Sequence, residues 1–314
     1  MKVLVTGASG MLGSHLVLEA VRAGYNVTAL VNTGSLDKRP WARRVLAGAR
    51  IVEASLGDAG LLRRMLGGER FDLVVHTAAV MGGARREWRV NYEGTRNLLS
   101  VLDGNVGVFV FISSILALGD TLAETALEDA ECRPRSVYEK SKCMAETLVA
   151  MEAEEQGFRH VIVRPSWMYG PYSLNPDMPR LLKLAKRGIA PILGGRSAVL
   201  GLVYAGDVAG AVYALALSGA SGVYNVRGPR MYGSLELAEA LSRAVGREKA
   251  FKPSVPRILF RAASRFSAAA RYLALMPRDI PIRKLETATG FHPRVDLEEG
   301  LSAMAGWMMR EGLL

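Results

Sequence analysis

The sequence is short of the residues and runs on which several classes of protein depend. Two cysteines, Cys132 and Cys143, in 314 residues are too few for a disulfide framework, and neither has metal-ligand spacing to other residues. The lone histidines His15 and His292 also lack ligand partners, so we predict no metal site. No apolar run approaches the roughly 20 residues of a membrane-spanning helix, and no charged and then apolar leader opens the sequence. We therefore expect a protein of a reducing compartment, the cytoplasm.

Acidic residues are in the minority, with 30 Asp and Glu against 40 Lys and Arg, which gives a net charge of +10. Such an excess is typical of nucleic-acid binding, but the arginines occur in scattered pairs with acidic residues between most of them. No basic stretch is interleaved with aromatic residues, and no nucleic-acid motif occurs. We expect no nucleic-acid partner, and we interpret the basic surface as attraction for anionic small molecules such as the phosphates of a cofactor.

Short apolar runs alternate with amphipathic stretches in the first half of the chain. The pattern predicts strands at 2–6, 26–31, 50–53, 73–76, 108–113 and 160–164, and helices at 11–23, 59–66, 91–102 and 138–153. Strands that alternate with helices of this length form βαβ units. The sequence therefore predicts an α/β fold with a doubly wound parallel sheet, the Rossmann architecture.

Proline and glycine become frequent after Pro165, and the pattern changes. A helix at 178–187, a strand at 200–204 and a helix at 207–218 are predicted, the last two returning to the sheet. We expect a Rossmann domain at 1–170, with 198–227 returning to it. A smaller, mostly helical C-terminal portion, made of 171–197 and 228–314, would bind the substrate.

A glycine-rich turn directly follows the first strand. Gly7 permits a tight turn, Gly10 lets the backbone approach a pyrophosphate, and Gly13 lets the helix pack closely on the strand. The spacing G-x-x-G-x-x-G between an apolar strand and an amphipathic helix predicts a dinucleotide site at the positive N-terminus of that helix. Its cofactor-binding residues are Gly7, Ser9, Gly10, Met11 and Gly13.

The tip of the second strand separates NAD from NADP. An acid there would bind the ribose 2′-hydroxyl, whereas a cation would favour a 2′-phosphate. Asn32 occupies this position, with Lys38 and Arg39 close behind. We favour NADP and keep NAD as the alternative, because Asp37 would reverse the preference if the loop folded back.

Leu56 and Asp58 follow the third strand and are added to the cofactor-binding residues. Asp58 is placed to accept a hydrogen bond from the adenine amino group. It is equally placed to cap the helix at 59–66. The two roles are compatible.

Tyr138 and Lys142 stand one helical turn apart and share a face of their helix. A phenol has a pKa of about 10, which is too high for proton transfer at neutral pH. A neighbouring ammonium lowers that pKa. Ser114 follows the strand at 108–113, at the carboxyl edge of the sheet, where open α/β folds bind ligands. Its hydroxyl can hold a substrate oxygen. We predict that Ser114, Tyr138 and Lys142 form the catalytic set.

These motifs occur in order over nearly the whole chain. Together they resemble the extended short-chain dehydrogenase/reductase family, the NAD-dependent epimerase/dehydratase superfamily. Besides the glycine turn and catalytic segments, the resemblance is carried by Leu56-Gly57-Asp58, His76-Thr77-Ala78-Ala79, Val90-Asn91-Tyr92-Glu93-Gly94-Thr95, Arg164-Pro165, Tyr169-Gly170-Pro171, Asp207-Val208-Ala209 and Gly290-Phe291-His292-Pro293.

The resemblance implies a role for each residue of the site. Ser114 would orient the substrate, Tyr138 would be the acid or base, and Lys142 would lower the tyrosine pKa and hold the nicotinamide ribose. The remaining cofactor contacts implied by the family are Thr77, Ala78, Ala79, Asn91, Tyr138, Lys142, Pro165 and Ser166.

Departures from the family patterns narrow the reaction. Dehydratase members carry an Asp-Glu pair after the catalytic Ser or Thr, whereas Ile115 and Leu116 follow Ser114 here. The arginine that nucleotide-sugar members carry before Asp-Val-Ala is also missing, with Arg196 and Arg278 as candidates to replace it. The apolar segment and the short loop at 80–89 resemble the dihydroflavonol-reductase-like branch, which acts on hydrophobic carbonyls or alcohols.

We therefore predict an NAD(P)-dependent oxidoreductase that transfers a hydride between nicotinamide and a carbonyl or alcohol substrate. The alternative is a nucleotide-sugar epimerase with tightly bound NAD. A third hypothesis, a non-catalytic NADP-sensing protein, is disfavoured by the intact Ser-Tyr-Lys set. The sequence does not identify the small-molecule substrate.

Two further expectations concern partners. The segment 255–276 places Arg257, Arg261 and Arg265 on one helical face, which is typical of a solvated basic face and also of a membrane-surface helix. We favour the solvated face and keep a weak membrane-surface contact as the alternative. The family resemblance also implies a homodimer through a four-helix bundle of the helices at 91–102 and 138–153, whose outer sides we expect to be apolar.

Overall fold

A computed structural model describes residues 1–123, 126–173, 175–264, 268–275 and 277–314. The main strands are runs rich in Val, Leu, Ile and Phe, as expected for parallel strands covered on both faces. The strands are β1 (Lys2–Thr6), β2 (Asn26–Val31), β3 (Arg50–Glu53), β4 (Phe71–His76), β5 (Val106–Ile112), β6 (Arg159–Pro165), β7 (Trp167–Tyr169), β8 (Ile192–Leu193), β9 (Val199–Leu200), β10 (Leu202–Tyr204), β11 (Gly222–Val226), β12 (Tyr232–Gly233) and β13 (Ser254–Val255).

Helices connect the strands and form most of the C-terminal portion. They are α1 (Met11–Arg22), α2 (Ala42–Val45), α3 (Ala59–Leu66), α4 (Ala84–Trp88), α5 (Gly94–Leu102), α6 (Val137–Gln156), α7 (Asp177–Lys186), α8 (Ala205–Leu217), α9 (Ser234–Ala244), α10 (Arg257–Ala263), α11 (Ala268–Leu275), α12 (Arg283–Thr289) and α13 (Leu297–Arg310). Short 3₁₀ turns occupy Ile115–Leu118 and Asp120–Ala123, and a π turn occupies Arg89–Glu93. None of the described helices is long and apolar enough to cross a membrane.

The central sheet has seven parallel strands in the order β11-β6-β5-β4-β1-β2-β3 within the described residues. β1 therefore lies between β2 and β4, and the strand order reverses at this point. The ends of β1 and β4 are in register, with Thr6 beside His76. Ligands bind at such a switch point, outside the carboxyl ends of the strands. The predicted doubly wound parallel sheet is confirmed.

Buried apolar residues cover both faces of the sheet. One cluster joins α1 and α8 to the C-terminal helices, and a second lies beneath α3, α5 and α6. Trp41, after β2, packs edge-on against Trp307 of α13 with ring centroids 5.2 Å apart. This contact fixes the long loop after β2 against the C-terminal end of the chain.

The expected strand at 200–204 does not join the central sheet. Gly201 divides it, so that β9 pairs with β12 and β10 pairs with β7 in separate small sheets. A Cβ atom at Gly201 would lie 2.5 Å from Ile280 Cδ1, and its backbone N–H donates to Tyr272 Oη at 2.8 Å. The strand that returns to the sheet is β11, paired with β6.

Two other segments also differ from the prediction: 80–89 was expected to form a loop, and 255–276 was expected to form one helix. The first contains α4, which runs through the π turn into α5. The second contains α10 and α11, and Arg265 lies outside the described residues. Arg257 Nε donates to the carbonyl oxygen of Ala274 at 2.8 Å and Arg271 is ion-paired. These two cations therefore bind within the protein instead of forming a basic face.

Candidate active site

The glycine turn is held between the end of β4 and the start of α1. Gly7 has φ of +63°, and a Cβ atom there would lie 2.8 Å from the backbone N of Ala78. A Cβ atom at Gly13 would lie 2.3 Å from the carbonyl oxygen of Gly7, so Gly13 packs on the turn itself. Gly10 caps α1 without a side-chain hydrogen bond. The backbone N–H groups of the first turn, which begins at Met11, therefore face a cradle that fits a phosphate.

The loop after β2 returns to this turn through Arg39. The Arg39 guanidinium donates to Ser9 Oγ, which lies 3.3 Å from Ser35 Oγ. Its Nε is buried and has no hydrogen-bond partner among the described residues, and burial lowers its pKa. A half-buried cation with an unused donor beside the glycine turn fits an anionic group of a dinucleotide.

The other residues predicted to choose between NADP and NAD lie on the surface of the loop after β2. Asn32, Asp37 and Lys38 are exposed, and Asn32 Nδ2 donates to its neighbour's carbonyl oxygen at 3.3 Å. Sequence reasoning missed Glu53, whose Oε2 accepts from Gly34 N at 3.4 Å. Glu53 ends β3 and pairs with Val31 at the end of β2. An acid at this strand end could have been recognised in the sequence as a candidate cofactor contact.

The ends of β1 and β4 form a hydrogen-bonded floor next to the glycine turn. Thr77 Oγ1 donates to the Thr6 carbonyl oxygen at 2.7 Å, and Thr6 Oγ1 accepts from Ala78 N at 3.2 Å. Thr6 Oγ1 also lies 2.6 Å from Nδ1 of the buried His76. Thr77 and Ala78 are half-buried and Ala79 is exposed, so the predicted lining segment follows the sheet edge.

Leu56 and Asp58 make structural contacts beyond the end of β3. Asp58 Oδ1 accepts from Leu61 N at 2.8 Å and caps α3. The carbonyl oxygen of the buried Leu56 accepts from Asn97 Nδ2 at 2.9 Å. The helix-capping role of Asp58 is therefore present, and its contact with adenine remains a prediction.

Ser114 and Tyr138 meet at the carboxyl edge of β5. Ser114 caps the 3₁₀ turn Ile115–Leu118 and accepts from Leu116 N at 3.2 Å. The Tyr138 phenol is close enough to this hydroxyl for Ser114 to act on its pKa. Burial raises the pKa of Tyr138 to about 12, Ser114 opposes this rise, and Glu87 on α4 adds to it. The phenol is therefore protonated at neutral pH.

Lys142 lies one turn along α6 and is almost completely buried, at 2% exposure. Its Nζ donates to the carbonyl oxygen of Ile112 at 2.7 Å and lies 4.9 Å from the centre of the Phe111 ring. Burial lowers the pKa of Lys142 to about 8, opposed by Glu146. The expected lowering of the Tyr138 pKa is not found in the chain alone, where burial outweighs any nearby cation.

The Asn91 side chain uses both of its amide atoms in hydrogen bonds that hold α6 in place. Its side chain binds the backbone of Val80 through both amide atoms, at 2.9 and 3.0 Å. Its Nδ2 also donates to Ser141 Oγ at 3.2 Å, which in turn donates to the Tyr138 carbonyl oxygen at 2.8 Å. The geometry makes Asn91 a positioning residue for Tyr138.

Pro165 and Ser166 lie where β6 ends. Ser166 N donates to the Val226 carbonyl oxygen at 2.8 Å. Its side-chain Oγ is buried without a hydrogen-bond partner among the described residues. Such a group fits a polar ligand such as a carboxamide. The glycine cradle, the unused Arg39 donor and Ser166 together fit a nicotinamide dinucleotide laid along this edge.

A buried ion pair between Glu146 and Arg164, which was not predicted from the sequence, lies next to the catalytic residues. Glu146 on α6 accepts from Arg164 Nη2 at 2.6 Å. The Ser113 hydroxyl also donates to Glu146, so Ser113 and Ser114 point to different partners. β5, β6 and α6 are thus locked together beside Lys142.

An open cavity of about 450 Å³ separates the catalytic segment from the C-terminal portion. It is lined by Leu122, Ala123, Ala126, Pro277, Arg278, Asp279 and Pro281. Ile115 and Leu116, which follow Ser114, are buried. With Arg278 and Asp279 among these residues, the lining is more polar than apolar.

Comparisons with known proteins agree with this geometry. A model of the "NAD dependent epimerase/dehydratase family" matches residues 3–226. The chain is 31% identical to a dTDP-4-dehydro-6-deoxy-D-allose reductase from Streptomyces sp., over 81% of this chain and 85% of the relative. It is 26% identical to a dTDP-glucose 4,6-dehydratase from Streptomyces niveus, over 98% and 92% of the two chains.

A solved structure shows the same fold. The UDP-glucuronic acid 4-epimerase from Bacillus cereus in complex with NAD superposes with a TM-score of 0.81 over 99% of both chains, at 22% identity.

Proposed function

The chain belongs to the NAD dependent epimerase/dehydratase family, and from this premise we propose that it is an NAD(P)H-dependent reductase of a carbonyl substrate. Its relatives include a reductase, a dehydratase and an epimerase, so its own residues must select the reaction. The meeting of Ser114, Tyr138 and the buried Lys142 at the carboxyl end of β5 carries the proposal.

The bound nicotinamide would supply the hydride, and the chain's own residues would manage the oxygen of the substrate. Ser114 would hold that oxygen by a hydrogen bond, and Tyr138 would give its phenolic proton to it as the alcohol forms. A pKa of about 12 keeps this proton on Tyr138 at neutral pH, which suits reduction. The buried Lys142 would support the phenolate left behind.

The residues after Ser114 argue against dehydration. Elimination of water needs an acid and a base at the reacting carbons, and Ile115 and Leu116 offer no titratable group. The polar lining of the cavity favours a carbonyl substrate that carries polar or charged groups. The named relatives act on nucleotide-linked sugars, and Arg278 at the rim is the group that would meet such a phosphate.

An epimerase is the second candidate, supported by the structural similarity to an NAD-containing epimerase. An epimerase keeps its cofactor and returns the hydride to the opposite face of the same substrate. A reductase consumes free cofactor.

Absorbance at 340 nm under turnover separates the two. The protein would be supplied with NADPH or NADH and either a hydrophobic ketone or a nucleotide-linked 4-keto sugar. Stoichiometric loss of absorbance supports the reductase. Retained cofactor in the purified protein, together with isomerised sugar and constant absorbance, supports the epimerase instead.

We propose NADP(H) as the preferred cofactor because Arg39 reaches the glycine turn. The NAD in the similar structure and the carboxylate of Glu53 support NAD as the alternative.

We also propose a cytoplasmic setting, consistent with the two free cysteines.

A homodimer is proposed through α6, whose outer side exposes Met144 and Met151 at 43% and 63%. The outer side of α5 is polar instead, with Arg96 and Ser100 exposed. The expected apolar surface is therefore confined to α6.

A weak contact with a membrane surface is proposed through α10, which exposes Ile258 and Leu259 at 64% and 57%. Co-sedimentation with vesicles of anionic lipid tests it. Loss of binding in Ile258→Glu would support it, and no sedimentation of the unmodified protein would exclude it.

A further inference from the structure

Two side chains of α6 hold two consecutive residues at the end of β5. Lys142 Nζ donates to the Ile112 carbonyl oxygen at 2.7 Å, and the Ser113 hydroxyl donates to Glu146 Oε1. Lys142 and Glu146 are four positions apart on α6 and therefore lie on one face of the helix. Ser114 is the next residue along the chain. The two contacts thus fix the backbone immediately before the catalytic serine.

Glu146 also connects α6 to β6. Its Oε1 accepts from Arg164 Nε at 2.9 Å, and its Oε2 accepts from Arg164 Nη2 at 2.6 Å. The two side chains are only 7% and 5% exposed, and a bidentate pair of this kind has a fixed geometry. Arg164 directly precedes Pro165 and Ser166, two of the predicted cofactor contacts. One carboxylate therefore holds the strand ends on both sides of the proposed reaction.

The same arginine is linked to the wall of the substrate cavity. Arg164 Nη1 donates to the Glu128 carbonyl oxygen at 3.2 Å, and Glu128 Oε1 accepts from Asn225 N at 3.2 Å. The Asn225 side-chain amide donates to the Ala126 carbonyl oxygen. Ala126 lines the open cavity. The hydrogen bonds of Glu146 therefore extend, through Arg164, to the substrate side of the molecule.

Glu146 is also the acidic group, among the described residues, whose charge acts on Lys142. The other titratable groups beside Lys142 are His76 on β4 and Tyr138 on α6, and Arg164 lies beyond the carboxylate. His76, with a pKa of about 3, and Tyr138, with a pKa of about 12, are both uncharged at neutral pH. Burial lowers the pKa of Lys142 to about 8 and Glu146 opposes this change. The carboxylate therefore favours the ammonium form of Lys142.

We propose that Glu146 is a positioning residue for Ser114, Tyr138 and Lys142, an inference that rests on the reductase function proposed above. Glu146 acts through its neighbours and does not contact the substrate. It fixes the end of β5 against α6, so that Ser114 stays beside Tyr138. It also keeps Lys142 charged while Tyr138 gives its proton to the substrate oxygen and becomes a phenolate.

Glu146→Gln keeps the shape of the side chain and removes its charge. We expect kcat to fall by about 10–100-fold, the cost of a small displacement of catalytic groups, while KM and the cofactor dissociation constant change little. The pH above which kcat declines should also fall, because Lys142 then loses its proton more easily. Glu155→Gln, at an exposed residue of the same helix, is the matched control and should behave as the unmodified protein. An unchanged kcat and pH profile in Glu146→Gln would overturn the proposal.

Ser113→Ala tests the contact with β5 and leaves the ion pair intact. We expect kcat to fall several-fold, with the decline at high pH in its original place because the charge of Glu146 remains. Full kcat in Ser113→Ala would overturn the role of Glu146 in fixing the strand end. This variant decides the question if Glu146→Gln does not fold.

The titration of Lys142 separates this inference from the reductase function, because it needs no substrate. Nuclear magnetic resonance of protein made with isotopically labelled lysine gives the midpoint, and the Lys142 signal is identified by its loss in Lys142→Arg. We expect a lower midpoint in Glu146→Gln than in Glu155→Gln and the unmodified protein. Equal midpoints would overturn the role of the Glu146 charge even if the protein is a reductase. A lower midpoint in a protein that oxidises no NADPH or NADH would support this role and refute the reductase.

Discussion

Arg271 Nε donates to Glu139 Oε1 across 2.7 Å, joining α11 of the C-terminal portion to the first turn of α6. Its Nη2 donates to Asp120 Oδ1 at 2.6 Å. Glu139 is completely buried, follows Tyr138 in the sequence, and completes the capping box with Ser136. One arginine thus connects the substrate side of the molecule to the residue next to the catalytic phenol.

Arg271→Gln should destabilise the protein by about 3–5 kcal/mol, because it leaves a buried carboxylate without its cation. It should also lower kcat/KM while the cofactor dissociation constant stays constant, since the cofactor cradle lies elsewhere. Urea unfolding and steady-state kinetics measure both. Arg261→Gln, on the exposed side of α10, is the matched control and should behave as the unmodified protein. Equal effects of the two variants would refute this coupling.

Tyr138→Phe should reduce turnover by about 10²–10⁴-fold, the usual contribution of a positioned proton donor. Cofactor affinity should change little, because the ring remains. The rate of NADPH oxidation and a fluorescence titration give the two quantities. Tyr25→Phe, a half-buried tyrosine at the far end of α1, should keep full activity. A Tyr138→Phe enzyme that retains more than about a tenth of the turnover would rule out the mechanism.

NADPH should bind several-fold more tightly than NADH, because Arg39 offers a charge-assisted donor to a 2′-phosphate. Arg39→Gln should remove most of this preference, and Asn32→Asp should shift it toward NADH. Calorimetric titration of both cofactors supplies the ratio. Arg43→Gln makes the same charge change on an exposed residue of α2 and should leave the ratio unchanged. Tighter NADH binding by the unmodified protein would reverse the assignment and implicate Glu53 or Asp37.

The folded protein should lose stability as the pH falls below about 6.5. Burial, assisted by Lys142, lowers the pKa of His76 to about 3, so the unfolded chain binds more protons between these values. The free energy of unfolding should fall by up to about 1.4 kcal/mol per pH unit from this group. Urea unfolding at pH 6.5, 5.5 and 4.5 measures the slope, which His76→Gln should reduce. Identical slopes in both proteins would contradict the role of His76.

Met151→Glu should convert a dimer to a monomer, because it places a charge on the exposed apolar side of α6. Light scattering after size exclusion at micromolar concentration reports the mass. Met309→Glu, at a residue of α13 that is 48% exposed, is the matched control and should remain dimeric. A monomer mass for the unmodified protein would exclude the dimer.

The buried strands are the part of the fold that the sequence predicts best. β1 and β2 have the predicted bounds, because a parallel strand covered on both faces is a mostly continuous apolar run. The short edge strand β3 also has its predicted bounds, although only Val52 of its four residues is buried. The Ser-Tyr-Lys set was equally predictable from the sequence, because helical spacing and the position of the strand end place these side chains locally. The structure brings all three to one edge of the sheet.

Contacts between distant segments could not be predicted in the same way. Arg271 and Glu139 are 132 positions apart, and nothing in either local pattern indicates the other. The strand expected at 200–204 has the right apolar pattern, but its partner is decided by the packing of Gly201 against Tyr272. The tyrosine pKa differs for a related reason: proximity of Lys142 was visible in the sequence, whereas the burial that dominates it was not.

The close approach of Gly7 to Ala78 has a consequence for how the protein is made. β1 can pair with β2 early in synthesis, but its other neighbour, β4, begins only at Phe71. Until β4 has emerged and paired with β1, Thr77 and Ala78 cannot make their hydrogen bonds to Thr6 next to the glycine turn. Ribosome-bound chains that stop before β4 should therefore be unable to capture a dinucleotide. Cofactor capture by progressively longer nascent chains would mark the moment at which the sheet closes around its first strand.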